Sequence, residues 1–290
     1  YTLSLHDALP ILGGNNAHSG LTNIAAGTLK VGHVNGLGTT GTFGSRTTIN
    51  HGTTLELATD ASVAAEWLDI ASNATGSIVV NRATAGDGII HSMGTTYLGR
   101  FSTLAASSGA NVTGGTATLG ISQVIMASGI DSTATLKSDT AAISVGGTVS
   151  SGVAFNKTLV LAGSHAESGI SGVISDGSGT VSLSKEGAGT WTLSNANTYT
   201  GDTNVTDGTL AIGDGGSIDS SAQIILGTNA TLDVSAVSGG FSVGTTGAQS
   251  LIGSGAVVGN MTVGANGTLS IGNSPGTMTF DGNLGLDAGS

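Results

Sequence analysis

The 290-residue sequence contains no cysteine, only two prolines, and few aromatic or charged residues, which make up 3% and 9% of the chain. Without cysteine the chain forms no disulfides or thiolate metal sites and has no cysteine nucleophile. Proline is too rare for collagen, and glycine shows no three-residue period. No apolar run approaches the roughly 18 to 20 residues of a membrane-spanning helix, so we expect no transmembrane helix.

Positive charge is also scarce, since 18 acidic residues face 7 basic ones and the formal net charge is −11. The lysines and arginines are dispersed singly along the chain. Nucleic acids and anionic lipids are bound through clustered basic side chains. We therefore expect no nucleic-acid partner.

Small and β-branched residues fill the sequence instead, with 50 glycines, 40 threonines and 36 serines beside a hydrophobic share of 38%. Disordered chains are usually charged, rich in proline and poor in apolar residues, so this composition does not match them. Each glycine costs a helix about 1 kcal/mol relative to alanine. The composition therefore predicts an all-β fold.

The first eleven residues differ in texture from everything that follows. Tyr1–Ile11, YTLSLHDALPI, contains one of the two prolines and almost none of the glycine and threonine found later. It resembles a translated sequencing adapter, and we interpret it as a non-native leader. The alternative is a natural leader, although it lacks the basic region and apolar core of a signal peptide. We expect the true N-terminus and any export signal to lie outside this sequence.

The remainder, residues 12–290, contains an internal repeat. A shift of 181 positions aligns Leu12–Gly32 with Leu193–Gly213 without a gap, and nine of the 21 aligned residues are identical. A shorter unit, Gly-Thr-Leu-x-apolar or a variant of it, recurs along the chain. In these units apolar residues alternate with small or polar ones, as in the pairs Leu29/Val31, Leu55/Leu57, Val181/Leu183, Leu210/Ile212, Leu232/Val234, Leu269/Ile271 and Leu284/Leu286.

An alternation of period two predicts short strands with one buried face. A strand of about five residues cannot bury that face alone, but parallel stacking of many strands, about 4.8 Å apart, encloses a continuous core. We therefore predict a right-handed parallel β-helix, a β-solenoid forming one elongated module, with about ten to fourteen coils of roughly 20 to 30 residues. Two segments depart from the pattern. Asp60–Ala71 fits either a short helical turn or a strand with a loop, and Arg100–Ser122 gives a weak strand signal.

Residues Gly187–Gly213, GAGTWTLSNANTYTGDTNVTDGTLAIG, resemble the passenger-associated repeat of bacterial autotransporters, also called the autotransporter-associated β-strand repeat. Trp191 and Asn195 depart from the usual Leu and Gly. The C-terminal segment 264–290 resembles a second segment of the family, and 12–32 is a further copy. Turning and stacking coils is the role that we expect for the signature residues, which are Gly187, Gly189, Thr190, Leu193, Asn197, Thr198, Tyr199, Gly201, Thr203, Gly208, Thr209 and Leu210.

The resemblance implies a secreted passenger that is exported across the outer membrane and displayed on the cell surface or released. It also implies a translocator, an outer-membrane β-barrel normally in the same chain, which we expect beyond Ser290. Repeats of this family are expected to assist secretion and folding of the passenger. We therefore predict a structural or adhesin-like passenger with host, matrix or cell-surface ligands. The alternatives are an inert stalk that carries a missing effector domain and a polysaccharide-active β-helix enzyme.

The sequence motifs that could indicate a catalytic, phosphate-binding or metal-binding site are each incomplete. Ser242 and Ser274 lie in Gly-x-Ser-x-Gly patterns, but neither precedes the helix that a nucleophile elbow requires. The Gly-x-Gly-x-x-Gly at Gly36–Gly41 precedes no helical pattern. His165 and Glu167 would share one strand face, and Asp214 and Asp219 lie in a glycine-rich turn without a calcium-binding repeat. We predict no catalytic residues, no metal site and no cofactor.

Overall fold

The computed structural model describes residues 2–3, 9–38, 41–272 and 276–287. Strands dominate, and the one helical turn in these ranges is the 3-10 turn Phe43–Ser45. The strands pair in parallel and stack as a β-solenoid of about ten turns. Two compact units divide the chain, Tyr1–Thr148 (the N-terminal unit) and Val149–Ser290 (the C-terminal unit).

The described residues of the N-terminal unit form fifteen strands, most of which are short because each crosses one face of a coil. They are β1 (Thr2–Leu3), β2 (Ile11–Leu12), β3 (Thr22–Ile24), β4 (Thr28–Val31), β5 (Thr47–Ile49), β6 (Thr54–Ala58), β7 (Leu68–Ile70), β8 (Thr75–Asn81), β9 (Gly86–Asp87), β10 (Ile90–Leu98), β11 (Ser102–Ser108), β12 (Val112–Gly114), β13 (Thr118–Met126), β14 (Ser132–Ser138) and β15 (Ala142–Val145).

These strands form rows, in which each strand pairs with the strand one coil later. One row runs β3, β5, β7, β10 and β13, and a second runs β4, β6, β8, β11 and β14. Along the first row Thr47 pairs with Leu68 of the next coil, and Thr96 pairs with Val124. The first half of β10 forms a third row with β13 and β15. Each coil therefore presents up to three strands.

Register places like residues on top of one another inside the unit. One buried column contains Ile24, Ile49, Ile70, Leu98 and Met126, all in consecutive coils. Burying an aliphatic side chain of this size contributes about 1.5–3 kcal/mol, before conformational entropy is counted. Such columns replace a globular core and hold successive coils together.

The C-terminal unit follows the same plan, with fifteen strands in its described ranges. They are β16 (Val149–Ser151), β17 (Lys157–Gly163), β18 (Ser168–Ile170), β19 (Ile174–Gly177), β20 (Val181–Lys185), β21 (Thr190–Leu193), β22 (Thr203–Ile212), β23 (Gln223–Asp233), β24 (Phe241–Val243), β25 (Gln249–Gly253), β26 (Ala256–Val258), β27 (Met261–Val263), β28 (Gly267–Ile271), β29 (Thr279–Asp281) and β30 (Leu284–Leu286).

Rows of the C-terminal unit are continuous as well. One runs β17, β20, β22, β23, β25 and β28, and another runs β18, β21, β22, β23, β26 and β29. One of the shortest steps along a row joins Leu251 to Leu269, and one of the longest joins Ile224 to Leu251. The spacing of paired residues in both units is therefore close to the coil length of roughly 20 to 30 residues that the sequence predicts for a parallel β-solenoid.

Strand pairs at the C-terminal end differ from the prediction. Leu269 is half-buried, while Ile271 is 49%, Leu284 37% and Leu286 65% exposed, although the alternation predicted all four as core. The reason is that, among the described residues, β28 and β30 each pair with one neighbouring strand, so a single coil covers them. The prediction of burial for these positions is therefore wrong.

Stacking decides the conformation of both irregular segments. Within Asp60–Ala71 the chain forms a loop followed by β7, so the strand-with-loop alternative is correct and the helical turn is wrong. Between Arg100 and Ser122 regular strands β11 and β12 form and β13 begins, despite the weak signal. In both segments pairing with adjacent coils determines a conformation that local preference leaves open.

Candidate functional site at the repeat coil

The signature segment forms β21, a turn, and β22. Its glycines stand where the backbone requires them: Gly187 has φ 73° and Gly208 has φ 66°, a region that other residues enter at a cost. A Cβ on Gly208 would lie 2.7 Å from the carbonyl oxygen of Gly189 and closer still to that of Gly187. A side chain at Gly208 is therefore excluded by the backbone of the preceding coil.

Gly189 and Gly201 also leave room for the backbone of the preceding coil, although neither has a positive φ. A Cβ on Gly189 would lie 2.5 Å from the carbonyl oxygen of His165, and one on Gly201 would lie 2.5 Å from that of Val181. The Gly201 amide donates a 3.0 Å hydrogen bond to this Val181 oxygen. The absence of a side chain thus permits the close approach that the hydrogen bond between coils needs.

Asn197 connects three consecutive coils and is only 3% exposed. Its Oδ1 accepts a 2.9 Å bond from the amide of Ile174 in the preceding coil. Its Nδ2 donates to the carbonyl oxygen of Ser217 in the following coil, at 3.0 Å, and to that of Asn195, at 2.8 Å. All three side-chain bonds reach backbone groups at this corner, where the carbonyl oxygens of Ser217 and Asn195 also accept the backbone amides of Asn197 and Ser217. An asparagine is suited to this position because it both donates and accepts.

Tyr199 lies buried in the same turn, where its hydroxyl and that of Thr203 share a 2.6 Å hydrogen bond. Thr203 also bonds the hydroxyl of Ser221 at 2.9 Å, and Ser221 donates to the carbonyl oxygen of Gly201 at 2.9 Å. Burial raises the pKa of Tyr199 above its ordinary value, so the phenol stays protonated. The chain of hydroxyls ends on backbone and joins two coils.

The remaining signature residues pair along the strands. Thr190 pairs with Thr209, and Trp191 with Leu210, while Leu193 is fully buried. The indole Nε1 of Trp191 donates a 3.1 Å bond to the carbonyl oxygen of Ala162. Thr198 is exposed, but its amide donates to the carbonyl oxygen of Ile174. The signature residues therefore lie on two consecutive coils and contact both each other and the coil that precedes them.

Lys185, which sequence reasoning did not select, is fully buried at the end of β20. Its ammonium donates to three carbonyl oxygens, those of Glu186, Gly187 and Asp207, at 3.2, 2.6 and 3.0 Å. Burial lowers the pKa of Lys185 to about 8, against the opposing attraction of nearby carboxylates. The alternation Val181, Leu183, Lys185 was the available signal, since it places the lysine on the inner face.

The first repeat copy has a similar backbone and hydrogen-bond geometry, although a histidine takes the place of the tyrosine. Gly27, aligned with Gly208, has φ 69°. Asn16, aligned with Asn197, donates a 2.7 Å bond from Nδ2 to the carbonyl oxygen of Gly36 in the following coil. His18, aligned with Tyr199, shares a 3.1 Å hydrogen bond between its Nε2 and the Thr22 hydroxyl. The sequence repeat therefore corresponds to a repeated hydrogen-bond scheme.

In the N-terminal unit, two ionisable side chains are fully buried outside the repeat. The Glu66 carboxyl accepts a 3.2 Å bond from the Thr47 hydroxyl, and burial raises its pKa to about 8. The Nε2 of His91 bonds the carbonyl oxygen of Asn81 at 2.8 Å, and burial lowers the pKa of this imidazole. Both groups are therefore uncharged at neutral pH.

The weak chemical motifs do not assemble into a site in the described ranges. Ser242 lies inside β24 and no helix follows it, whereas Ser274 falls outside the described residues. His165 and Glu167 lie in a bend, where the Glu167 amide donates to His165 Nδ1. Asp214 is exposed and accepts a bond from the Ser238 hydroxyl. For Gly36–Gly41, the structure describes a turn up to residue 38 and does not describe 39–40.

Metal ligands do not cluster in the part of the chain that the structure describes. No three histidine, aspartate or glutamate side chains there come together in a way that could hold a metal ion. Among the same residues, no helix is long and apolar enough to cross a membrane.

Comparison with known proteins agrees with the geometry. The family model of the passenger-associated-transport-repeat matches residues 11–31 and 183–212, which overlap the two copies just described. The Adhesin BmaC autotransporter of Brucella suis biovar 1 (strain 1330) is 38% identical over 89 residues, which are 31% of this chain. The chain spans 2% of the length of that relative, and no solved structure matches this chain. The resemblance to autotransporter passengers is thus confirmed: the chain carries two passenger-associated transport repeats on a parallel β-solenoid.

Proposed function

We propose that this chain is part of a surface-displayed autotransporter passenger with a structural, adhesin-like and non-enzymatic role, whose repeats assist its own secretion and folding. The observation that carries the proposal is Asn197, whose side chain bonds the coil before it and the coil after it. The family match at 183–212 and the similarity to an autotransporter adhesin support it. In the whole protein an outer-membrane translocator would deliver the passenger to the cell surface.

The repeat can assist export because each coil offers a complete template for the next. When a coil is folded, its carbonyl oxygens and amides are already placed for the Gly201 amide and for Asn197 of the arriving coil. Folding then grows in one direction with a free-energy gain at each coil, which resembles the nearest-neighbour energetics of repeat proteins. Such growth outside the cell would bias translocation outward without ATP.

A display experiment tests the secretion role. The chain is expressed between a signal peptide and an autotransporter translocator, and the fraction that external protease can cleave on intact cells is measured. We expect Asn197→Ala to lower surface display several-fold, because two coils lose a connecting side chain. Asn229→Ala, at an exposed position in β23, is the matched control and should display normally. Equal display of the two variants would contradict the role proposed for the repeat.

Adhesion separates the proposed role from its alternatives. Cells that display the chain, with and without an N-terminal addition, are compared for attachment to host cells and to matrix proteins. An adhesin increases attachment by itself, whereas an inert stalk does so only with an added effector. Release of reducing ends from polysaccharides by the purified chain would favour the β-helix enzyme and contradict the non-enzymatic role.

A further inference from the structure

Three of the ten aromatic residues lie together at the surface of the N-terminal unit. We call these residues, Phe43, Trp67 and Tyr97, the aromatic cluster. The rings of Phe43 and Tyr97 meet edge to face with centroids 5.3 Å apart, and those of Trp67 and Tyr97 are 5.9 Å apart. Phe43 is 54% exposed, and the other two rings are half-buried. Aromatic residues at a surface are typical of binding sites, particularly in a chain that has so few.

The backbone next to the aromatic cluster leaves room for the rings and holds them in position. Tyr97 points outward from β10, in register with Asp69 of β7 and Thr48 of β5. Trp67 lies across Gly94, where a Cβ would be 2.6 Å from the indole Cδ1. The Gly94 amide donates a 2.7 Å bond to the Glu66 carbonyl oxygen, which fixes the chain next to Trp67. The rings are therefore held in place before any ligand arrives, which lowers the entropic cost of binding.

A charge pair borders the aromatic cluster. The guanidinium of Arg46 stacks on Phe43, with Cζ 3.7 Å from the ring centroid, and its Nε lies 3.1 Å from Asp69 Oδ2. Its Nη1 donates a 2.7 Å bond to the Phe43 carbonyl oxygen. Both side chains retain some exposure, 17% for Arg46 and 29% for Asp69. The site thus combines apolar ring faces with a donor and an acceptor, while its own charges cancel.

A shallow groove opens beside the aromatic cluster. Ala65, two residues before Trp67, and Met93, next to Gly94, both line it. Its other walls combine the apolar side chains of Ile90 and Ile121 with small or polar residues, including Ser92, Gly120 and Ser144, in the third row of the unit. Segments 65–67 and 93–94 connect this groove to the aromatic cluster, although the three rings themselves do not line it.

We propose that the aromatic cluster and the adjoining groove bind a neutral oligosaccharide. Sugar rings present an apolar face of C–H groups to an aromatic ring and hydroxyls around their edge, which Arg46 and Asp69 can bond. The cancelled charges of the site and the net charge of −11 disfavour a polyanionic ligand. Three rings are too few for the core of a stable protein interface, which buries roughly 800 Å² on each partner. This proposal rests on the adhesive role proposed above and names its ligand class.

Binding is tested with the full 290-residue chain and with defined probes: cellohexaose, maltohexaose and chitohexaose as neutral sugars, and a heparin hexasaccharide as the anionic one. Trp67 is the half-buried tryptophan and Trp191 is fully buried, so a change in emission reports on the aromatic cluster, and calorimetry gives the dissociation constant. Tyr97→Thr introduces the residue that Thr48 supplies two coils earlier, and Trp67→Ala removes a second ring. Phe101→Ala removes an exposed ring outside the cluster and is the matched control.

We expect at least one neutral hexasaccharide to bind, with Tyr97→Thr and Trp67→Ala each weakening binding about tenfold or more and Phe101→Ala leaving it unchanged. Unchanged circular dichroism shows that the variants fold. The proposal is overturned if no neutral probe binds at millimolar concentration, if the cluster variants bind as well as the unmodified chain, or if the heparin probe alone binds.

The same variants separate this site from the proposed function. If displayed Tyr97→Thr still promotes cell attachment while the unmodified chain binds no neutral sugar, the adhesive role stands and the oligosaccharide site is wrong. If the purified chain binds sugar through the aromatic cluster but displayed cells do not attach, the site stands and the adhesive role is wrong.

Discussion

The two repeat copies share a hydrogen-bond scheme but differ in what surrounds it. In both, a threonine hydroxyl bonds a larger side chain four residues earlier: Thr22 bonds His18, and Thr203 bonds Tyr199. Tyr199 is buried and its network continues through Ser221, whereas His18 is half-buried. The two copies therefore agree in where the bonds are made, and the packing of adjacent coils decides how much stability they contribute.

The aligned glycines show the same contrast. Gly27 and Gly208 both have a positive φ, 69° and 66°. Among the described residues nothing lies within 4 Å of a Cβ built on Gly27, whereas one on Gly208 meets the carbonyl oxygens of Gly187 and Gly189. Position 27 therefore requires glycine only for its left-handed backbone conformation. Position 208 requires glycine for that conformation and also because a side chain would collide with the preceding coil.

Alanine at these two glycines should give the largest difference between the copies. Gly27→Ala should cost about 1–2 kcal/mol in free energy of unfolding, which is typical of a left-handed conformation. Gly208→Ala adds a collision with rigid backbone and should cost more than about 3 kcal/mol. Thermal unfolding, with hydrogen exchange to locate the change in each unit, measures both. Similar losses in the two variants would show that the second copy is not more tightly packed.

Alanine at the two aligned asparagines should give the second largest difference in stability between the copies. Asn197→Ala leaves the Ile174 amide without its side-chain acceptor and removes one of the two donors to each of the Ser217 and Asn195 carbonyl oxygens, so it should lower the free energy of unfolding by about 2–4 kcal/mol. Asn16→Ala removes one side-chain bond at a half-buried position and should cost about 1 kcal/mol or less. Denaturant unfolding of both variants tests this order. A larger loss for Asn16→Ala would contradict it.

The unit that holds the first copy should also respond to pH through Glu66. Its folded pKa of about 8 lies above the ordinary value of 4.5, so the folded state keeps a proton that the unfolded chain has lost. The contribution of Glu66 to stability therefore falls as pH rises from 4.5 to 8 and is lowest above pH 8. Glu66→Gln cannot ionise and should be more stable than the unmodified chain by about 2 kcal/mol at about pH 9.

Chemical denaturation at about pH 5 and about pH 9 measures this difference, which should be much smaller at the lower pH. Glu167→Gln, at an exposed position in the C-terminal unit, is the control and should change stability little at either pH. A stabilisation by Glu66→Gln that is equal at both pH values would show that ionisation of Glu66 is not its source.

Substitutions at Tyr199 and His18, the side chains that bond the two threonine hydroxyls, should have the smallest effect on the free energy of unfolding. Tyr199→Phe removes the hydroxyl that bonds Thr203 but keeps the buried ring, and Thr203 retains Ser221, so the expected loss is about 1 kcal/mol. His18→Tyr introduces the residue of the second copy at a half-buried position and should change stability by less than about 0.5 kcal/mol. Thermal midpoints measure both. A large gain from His18→Tyr would mean that the tyrosine, and not its surroundings, distinguishes the copies.

Much of the fold could be predicted from local patterns. Alternation identified the inward residues of β4, β6, β20 and the second half of β22, and the self-alignment identified two segments that form similar corners and hydrogen bonds. These features are local or repeated, because the period of a strand and the need for glycine at a corner depend on a few adjacent residues.

Contacts between coils could not be predicted in this way. Local patterns were sufficient to predict an all-β chain with repeated corners and short parallel strands. The tertiary structure decided that Asp60–Ala71 is a loop and strand, that Ile271 and Leu286 are exposed, that Lys185 binds three carbonyl oxygens, and that Phe43, Trp67 and Tyr97 meet. Each of these outcomes depends on which residues of the neighbouring coils stack alongside, and the length of each coil, which varies along the chain, sets that register.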